Sequence, residues 1–133
     1  MDSKESPLVL VIANDGEVVL RAVSSTLEKA GFTVTGASSS ASALNQCRQT
    51  GLQPGLAVID TTTPGIDLQD LVVQLRQISP AMRVLFLSCD SPSDVVRSVR
   101  ARWRGKCLSK PFRRSQLLGQ VLTLMDEELV LTA

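Results

Sequence analysis

The chain has no histidine among its 133 residues, and this absence removes two common classes of function. Without an imidazole, mechanisms that depend on a histidine base are excluded. A zinc site is also disfavoured, because the three cysteines, Cys47, Cys89 and Cys107, form no C-x-x-C pair. Scattered cysteines of this kind are typical of buried thiols in a reducing compartment.

Long apolar runs are missing as well. No stretch approaches the roughly 20 residues that span a bilayer, and the opening MDSKESP lacks the apolar centre of a secretory signal. The composition, with 44% hydrophobic residues, 20% charged residues and a net charge of +1, is that of one globular domain. We therefore expect a cytoplasmic protein with a tail over 1–6, a domain over 7–126 and a second tail over 127–133.

The sequence does contain a strict alternation of short apolar runs with stretches of helical period. The runs of strand length are LVLVIA (8–13), FTVTGA (32–37), LAVID (56–60), RVLFLS (83–88) and KCLS (106–109). Apolar residues at helical spacing follow each run, and Gly31, Gly51 and Pro80 end the first three helices. This alternation predicts a three-layer α/β fold, doubly wound, with a parallel sheet of five strands.

Polar residues follow the predicted strands, and in such sheets ligands bind outside the carboxyl ends. The residues at these ends are Asn14, Asp15, Asp60, Thr61, Thr62, Ser88, Ser109 and Lys110. Two carboxylates about 4 Å apart repel by about 4 kcal/mol at an effective dielectric constant near 20, so a cation is expected between them. Lys110 can offset one charge, and Mg²⁺, which prefers oxygen ligands, can offset both.

Two interpretations of these polar residues remain open at this point. A neutralised Asp60 can attack a phosphoryl group, because carboxylates form aspartyl phosphates, with Lys110 stabilising charge and Ser88 donating a hydrogen bond to the phosphate. Strand-end acids and hydroxyls also serve as helix caps, as expected for Asp67 before the third helix and for Ser91 or Ser93 before the fourth. Capping does not account for the lysine.

Four segments, in order, resemble the receiver domain of two-component response regulators over roughly residues 7–126. They are VIANDGE, VIDTTTPG, LFLS and LSKPF. The interval from Asp15 to Gly31 matches the family's first helix and marks Asn14-Asp15 as its acidic pair. The surroundings of LFLS and LSKPF are most similar to receivers of hybrid sensor histidine kinases. The resemblance implies a flavodoxin-like (βα)5 fold with strand order 2-1-3-4-5.

The resemblance also implies a signalling role and not a general enzyme. Asp60 would accept a phosphoryl group from a histidine kinase or phosphotransfer protein, and the domain would catalyse only its own phosphotransfer and dephosphorylation. Ser88 and Lys110 would bind the phosphate oxygens, and the Lys110-Pro111 bond is cis in the family. The Mg²⁺ ligands implied are Asp15, Asp60, the backbone carbonyl of Thr62 and, nearby, Asn14.

The sequence departs from the family pattern at three places, and each departure weakens the support for one of the functions that the resemblance implies. Asn14 replaces an acid, which lowers the expected metal affinity. Cys107 replaces the aromatic residue whose rotamer reports phosphorylation in the family. Arg102-Trp103-Arg104 replaces a segment of small residues. Asn14 and Cys107 favour an alternative, a pseudo-receiver that binds partners without phosphorylation. A phosphatase of the haloacid-dehalogenase type is disfavoured, because its nucleophile follows the first strand and Asp60 follows the third.

A basic segment extends over residues 95–125, which contain no acid. Its eight basic residues are Arg97, Arg100, Arg102, Arg104, Lys106, Lys110, Arg113 and Arg114. In the family these positions lie on the fourth helix, fifth strand and fifth helix, the face used for dimerisation and output. We expect this face to bind an acidic partner or a second copy, with Trp103 as an anchor. The alternative is a solvated basic surface. Nucleic-acid binding is disfavoured, because no recognition helix is evident.

Overall fold

The computed structural model describes residues 8–13, 18–61, 67–88 and 105–132, without the side chains of Ser88 and residues 126–132. The strands are β1 (Leu8–Ile12), β2 (Thr33–Ala37), β3 (Leu56–Asp60), β4 (Arg83–Ser88) and β5 (Lys106–Ser109). The helices are α1 (Val18–Lys29), α2 (Ser40–Thr50), α3 (Leu68–Ile78) and α4 (Arg114–Thr132). Helix α4 is the predicted fifth helix. The helix predicted after β4 lies outside the described residues.

The strands form one parallel sheet in the order β2-β1-β3-β4-β5. Both the predicted α/β class and the predicted strand order are therefore confirmed. Strand order reverses at β1, which has β2 on one side and β3 on the other. Chains of this topology place their ligands outside the carboxyl ends of the strands near that point, and β3 ends there with Asp60.

Two apolar clusters cover the sheet, one on each face. In β3, Ala57 and Ile59 belong to the cluster that contains residues of α2 and α3. Leu56 and Val58 belong to the other cluster, with residues of α1 and α4. Because both faces are buried, β3 has no polar side before Asp60, which explains its continuous apolar sequence.

Short polar contacts set the starts and ends of the helices. Ser39 caps α2 and Asp67 caps α3, each accepting a hydrogen bond of 3.1 Å from the backbone N–H three residues further on. The predicted cap at Asp67 is thus confirmed. Gly51 follows α2 with a φ of 70°, a left-handed conformation that glycine adopts without steric cost.

Helix α4 is longer than its apolar stripe predicted. That stripe ends at Met125, whereas the helix continues to Thr132. At its start, Gln116 accepts a hydrogen bond of 2.7 Å from the backbone N–H of Arg113, one half of a capping box. Among the described helices, none combines the length and apolarity that crossing a membrane requires.

Candidate functional site

Asp60 is the last residue of β3 and has only 1% of its surface exposed. Within the described ranges, Asp60 is the one charged residue in the buried set, which otherwise contains Thr26 and Ser79 as polar members. Moving a carboxylate out of water costs several kcal/mol unless a positive charge or hydrogen bonds compensate. A buried acid at this position therefore requires a partner.

Lys110 supplies that partner. Its Nζ donates a hydrogen bond of 3.0 Å to Asp60 Oδ1, and 16% of the Lys110 side chain is exposed. The lysine follows β5, which is separated from β3 by β4, so it reaches Asp60 across the end of the intervening strand. The Lys110-Pro111 bond is cis. Two of the strand-end residues singled out from the sequence are thus brought into contact.

Thr61 fixes the chain immediately after Asp60. Both its backbone N–H and its hydroxyl Oγ1 donate to the carbonyl oxygen of Leu87, at 2.9 and 3.0 Å. Leu87 is also the β4 residue that pairs with Asp60. The chain is therefore held to β4 by two hydrogen bonds directly after the residue that carries the carboxylate. From the sequence, only the position of the Thr61 hydroxyl after a strand indicates this role.

Ser88 ends β4 beside the same edge. It pairs in register with Ser109, the residue before Lys110, so its backbone lies next to the Lys110 segment. The side chain of Ser88 lies outside the part of the chain that the structure describes. The remaining predicted site and surface residues also lie outside the described residues: Asn14, Asp15, Thr62, Arg100, Arg102, Trp103 and Arg104.

Cys107 lies at the centre of β5 and pairs with Phe86 of β4. Its side chain is partly buried and packs against the apolar cluster of α2 and α3. Phe86 is fully buried in that cluster. Neither Cys107 nor Cys47 forms a disulfide, and Cys47 is buried. Burial raises the pKa of the Cys47 thiol above its ordinary value of 9.0.

The arrangement matches a known family. The family model of the response regulator receiver domain matches residues 10–122. This chain belongs to the response regulator receiver domain family. Receiver domains are signalling domains that interact with histidine kinases, and they are not enzymes in the classical sense.

Similar receiver domains occur in two kinds of signalling protein, a response regulator and a sensor kinase. The chain is 30% identical over 127 residues to the response regulator protein TmoT of Ectopseudomonas mendocina, covering 94% of this chain and 55% of TmoT. It is 27% identical over 127 residues to the sensor kinase CckA of Brucella abortus (strain 2308), covering 96% of this chain and 13% of CckA. The chain thus spans about half or less of the length of these relatives.

Solved structures support the fold of this receiver domain. The chemotaxis response regulator CheY4 of Vibrio cholerae has a TM-score of 0.76 at 21% identity, covering 90% of this chain and 98% of that one. A CheY-like receiver domain protein from Methanospirillum hungatei JF-1 has a TM-score of 0.80 at 18% identity, covering 92% and 95%. At these identities the similarity establishes the fold alone.

Proposed function

We propose that Asp60 accepts a phosphoryl group from a histidine kinase or a phosphotransfer protein. The observation that carries this proposal is the buried Asp60 carboxylate, paired with Lys110 at 3.0 Å where β3 ends at the carboxyl edge of the sheet. A cap or a solvating acid needs neither the burial nor the lysine. Family membership supports the same role for this aspartate.

The chemistry is a displacement at phosphorus. An oxygen of the Asp60 carboxylate attacks the phosphorus of a phosphohistidine on the partner, forming a P–O bond as the P–N bond breaks. The imidazole leaves and takes up a proton. Asp60 exchanges its carboxylate charge for that of the acyl phosphate, and Lys110, whose Nζ is 3.0 Å from Asp60 Oδ1, would stabilise this charge. Ser88 would donate a hydrogen bond to the same oxygens.

A magnesium ion fits the donor chemistry of this edge. Mg²⁺ binds one or two carboxylates together with neutral oxygens and water, and the Asp60 carboxylate is such a donor at the strand end. The residues proposed to hold it with Asp60 are Asp15, the backbone carbonyl of Thr62 and Asn14. When bound, it would neutralise charge on the transferring phosphoryl group.

The test is phosphorylation by a small donor. The native chain is incubated with acetyl phosphate and Mg²⁺, and its intact mass is followed over time. We expect a gain equal to one phosphoryl group, lost on standing at alkaline pH as an acyl phosphate hydrolyses. D60N is the matched control and should gain nothing. If D60N gains the same mass as the native chain, Asp60 is not the acceptor.

A pseudo-receiver is the second candidate function. The partly buried Cys107 favours it, because a thiol packed against Phe86 cannot provide the aromatic rotamer change of the family. Asn14 favours it too, since the amide brings no charge to a metal. Under this alternative, partner binding is independent of phosphate. Equal affinity of a partner for the native chain and for D60N, with and without beryllofluoride, would support it.

The output surface is proposed to be the basic segment around β5. This surface includes Cys107 and the residues Arg100, Arg102, Trp103 and Arg104, and it would bind an acidic partner or a second copy of the chain. The absence of acidic residues over 95–125 supports the proposal.

The expected location in the cytoplasm stays a prediction from composition. The similarity to TmoT and CckA is compatible with a receiver domain that belongs either to a response regulator or to a sensor kinase.

A further inference from the structure

Strand β2 forms one edge of the sheet, because among the described strands only β1 pairs with it. An edge strand presents backbone N–H and C=O groups to which a further strand can bind, and proteins usually guard such edges with charged side chains. Residues 30–47, which include β2 and most of α2, contain no charged residue. Thr33 and Gly36 of β2 are exposed. The β2 edge therefore lacks charged side chains of its own.

The hydrogen bonds of β2 show which of its residues point away from the sheet. The backbone N–H of Ala13 donates to the carbonyl oxygen of Ala37 at 3.0 Å, so this carbonyl points toward β1. Backbone polar groups of successive strand residues point to opposite sides. Counting back from Ala37, Thr35 therefore also faces β1. The N–H and C=O groups of Gly36 and Val34 face outward.

Gln46 of α2 covers one of these outward groups. Its side-chain Nε2 donates to the carbonyl oxygen of Gly36 at 3.1 Å, which agrees with the outward direction of that carbonyl. The other outward groups are the N–H and C=O of Val34 and the N–H of Gly36. Within the described part of the chain, none of these three has a hydrogen-bond partner. The edge therefore offers two donors and one acceptor, and a second acceptor when Gln46 is displaced.

We propose that the β2 edges of two copies of this chain pair antiparallel about a two-fold axis at Thr35, which joins the two sheets. In this register Val34 of each copy lies opposite Gly36 of the other. Opposite residues that face each other in an antiparallel pair exchange two hydrogen bonds. The N–H of Val34 donates to the carbonyl oxygen of Gly36, and the N–H of Gly36 donates to that of Val34. The two symmetric pairs use every outward group, because the pattern of donors and acceptors is complementary to itself.

Charge favours a second copy at this edge as well. A two-fold axis places each residue near its own copy, so a charged edge would oppose itself with like charges. The uncharged sequence over 30–47 avoids that repulsion. Gly36 adds room, since it has no side chain to meet Val34 of the other copy. Because β1 separates β2 from β3, the contact is remote from Asp60, and the inference is independent of the role proposed for that residue.

Sedimentation velocity measures this pairing. V34P removes the outward N–H of Val34, and proline is tolerated where an edge strand points its N–H away from the sheet. V34A is the matched control, because it also trims the side chain and keeps the N–H. We expect the native chain and V34A to form a reversible dimer at protein concentrations up to about 1 mM, and V34P to raise the dimer Kd by at least about tenfold.

Two results of this comparison would overturn the proposal. Equal dimerisation of V34A and V34P would place the contact elsewhere on the chain. A native chain that stays monomeric would leave the edge to a strand of another protein.

Q46A acts in the opposite direction and leaves β2 itself unchanged. It removes the donor that competes for the Gly36 carbonyl in the single copy, so we expect the dimer Kd to fall by about threefold or more. If Gln46 serves only to stabilise the fold, Q46A would lower Tm without tightening the dimer, and that result would count against the proposal.

Amide hydrogen exchange, followed by NMR, locates the contact on the strand. The amide protons of Val34 and Gly36 are open in a single copy and should exchange more slowly as the protein concentration rises. The amide proton of Thr35, which faces β1, should change little. Slow exchange of Val34 and Gly36 at every concentration would mean that the chain covers the edge with a segment of its own, which contradicts pairing between copies.

Discussion

At the scale of single residues, the Asp60–Lys110 pair is asymmetric. The Asp60 side chain is 1% exposed and the Lys110 side chain is 16% exposed. Water therefore reaches the lysine in the folded chain but hardly reaches the carboxylate. We predict that K110M lowers the free energy of unfolding by about 2–4 kcal/mol at neutral pH, because it removes the positive charge of Lys110 from beside a buried carboxylate. D60N should cost markedly less. Urea unfolding of both variants measures the difference.

The pH dependence of K110M provides a check on this explanation. Acid protonates the Asp60 carboxylate and removes the buried charge. The loss of unfolding free energy caused by K110M should therefore shrink as the pH falls. A cost that stays constant between neutral and acidic pH would mean that K110M acts through lost packing of the lysine stem and not through charge.

Cys47 makes a second prediction at this scale. Burial raises its pKa above 9.0, so the folded chain holds the thiol proton more tightly than the unfolded chain does. Its contribution to stability is therefore complete below pH 9 and is lost as the pH rises through the folded-state value. We expect stability to fall less steeply with pH in C47A than in the native chain.

At the scale of secondary structure elements, alanine should have opposite effects on stability at two glycines, although both positions have room for a Cβ atom. A Cβ added at Gly119 or at Gly51 would meet no heavy atom within 4 Å. Gly119 lies within α4 and is exposed, whereas Gly51 has a φ of 70°. G119A should stabilise by about 0.5–1 kcal/mol through helix propensity. G51A should destabilise, because alanine is strained in the left-handed region. Shifts of Tm of the same sign for both variants would contradict this explanation.

The elements also show how much of the fold the sequence predicts. β3, β4 and β5 have the predicted bounds, because strands covered on both faces leave continuous apolar runs with clear ends. The start of α3 follows from the capping chemistry of Asp67. The length of α4 was underestimated, because Asp126, Glu127 and Glu128 interrupt its apolar stripe before the last residues of the helix.

At the scale of the whole molecule, contacts between distant segments were predictable only where a rule relates them. The meeting of Asp60 with Lys110 follows from parallel strands, whose carboxyl ends share an edge. The hydrogen bond from Arg76 to the backbone carbonyl of Met82 does not follow from any sequence pattern, because it depends on how the turn between α3 and β4 closes. Nothing in the sequence marks Arg83 Nε as lacking a partner among the described residues either.

The basic segment gives a prediction for assembly. The triple substitution R100S/R102S/R104S removes three charges from the proposed output surface, and we expect it to weaken binding of an acidic partner or self-association by an order of magnitude or more. The effect should diminish with added salt, because screening weakens exposed charges. A circular dichroism spectrum checks that the variant folds. Association that is unchanged in sedimentation or titration calorimetry would identify the segment as solvated surface.

The identity of the phosphoacceptor is tested most directly by locating the phosphoryl group. After incubation with acetyl phosphate and Mg²⁺, the chain is reduced with borohydride, which converts an aspartyl phosphate into homoserine, and the peptides are sequenced by mass spectrometry. If Asp60 is the phosphoacceptor, we expect homoserine at position 60 and at no other aspartate. Homoserine at another aspartate with residue 60 unchanged, or none in a native chain shown to be folded, would contradict it.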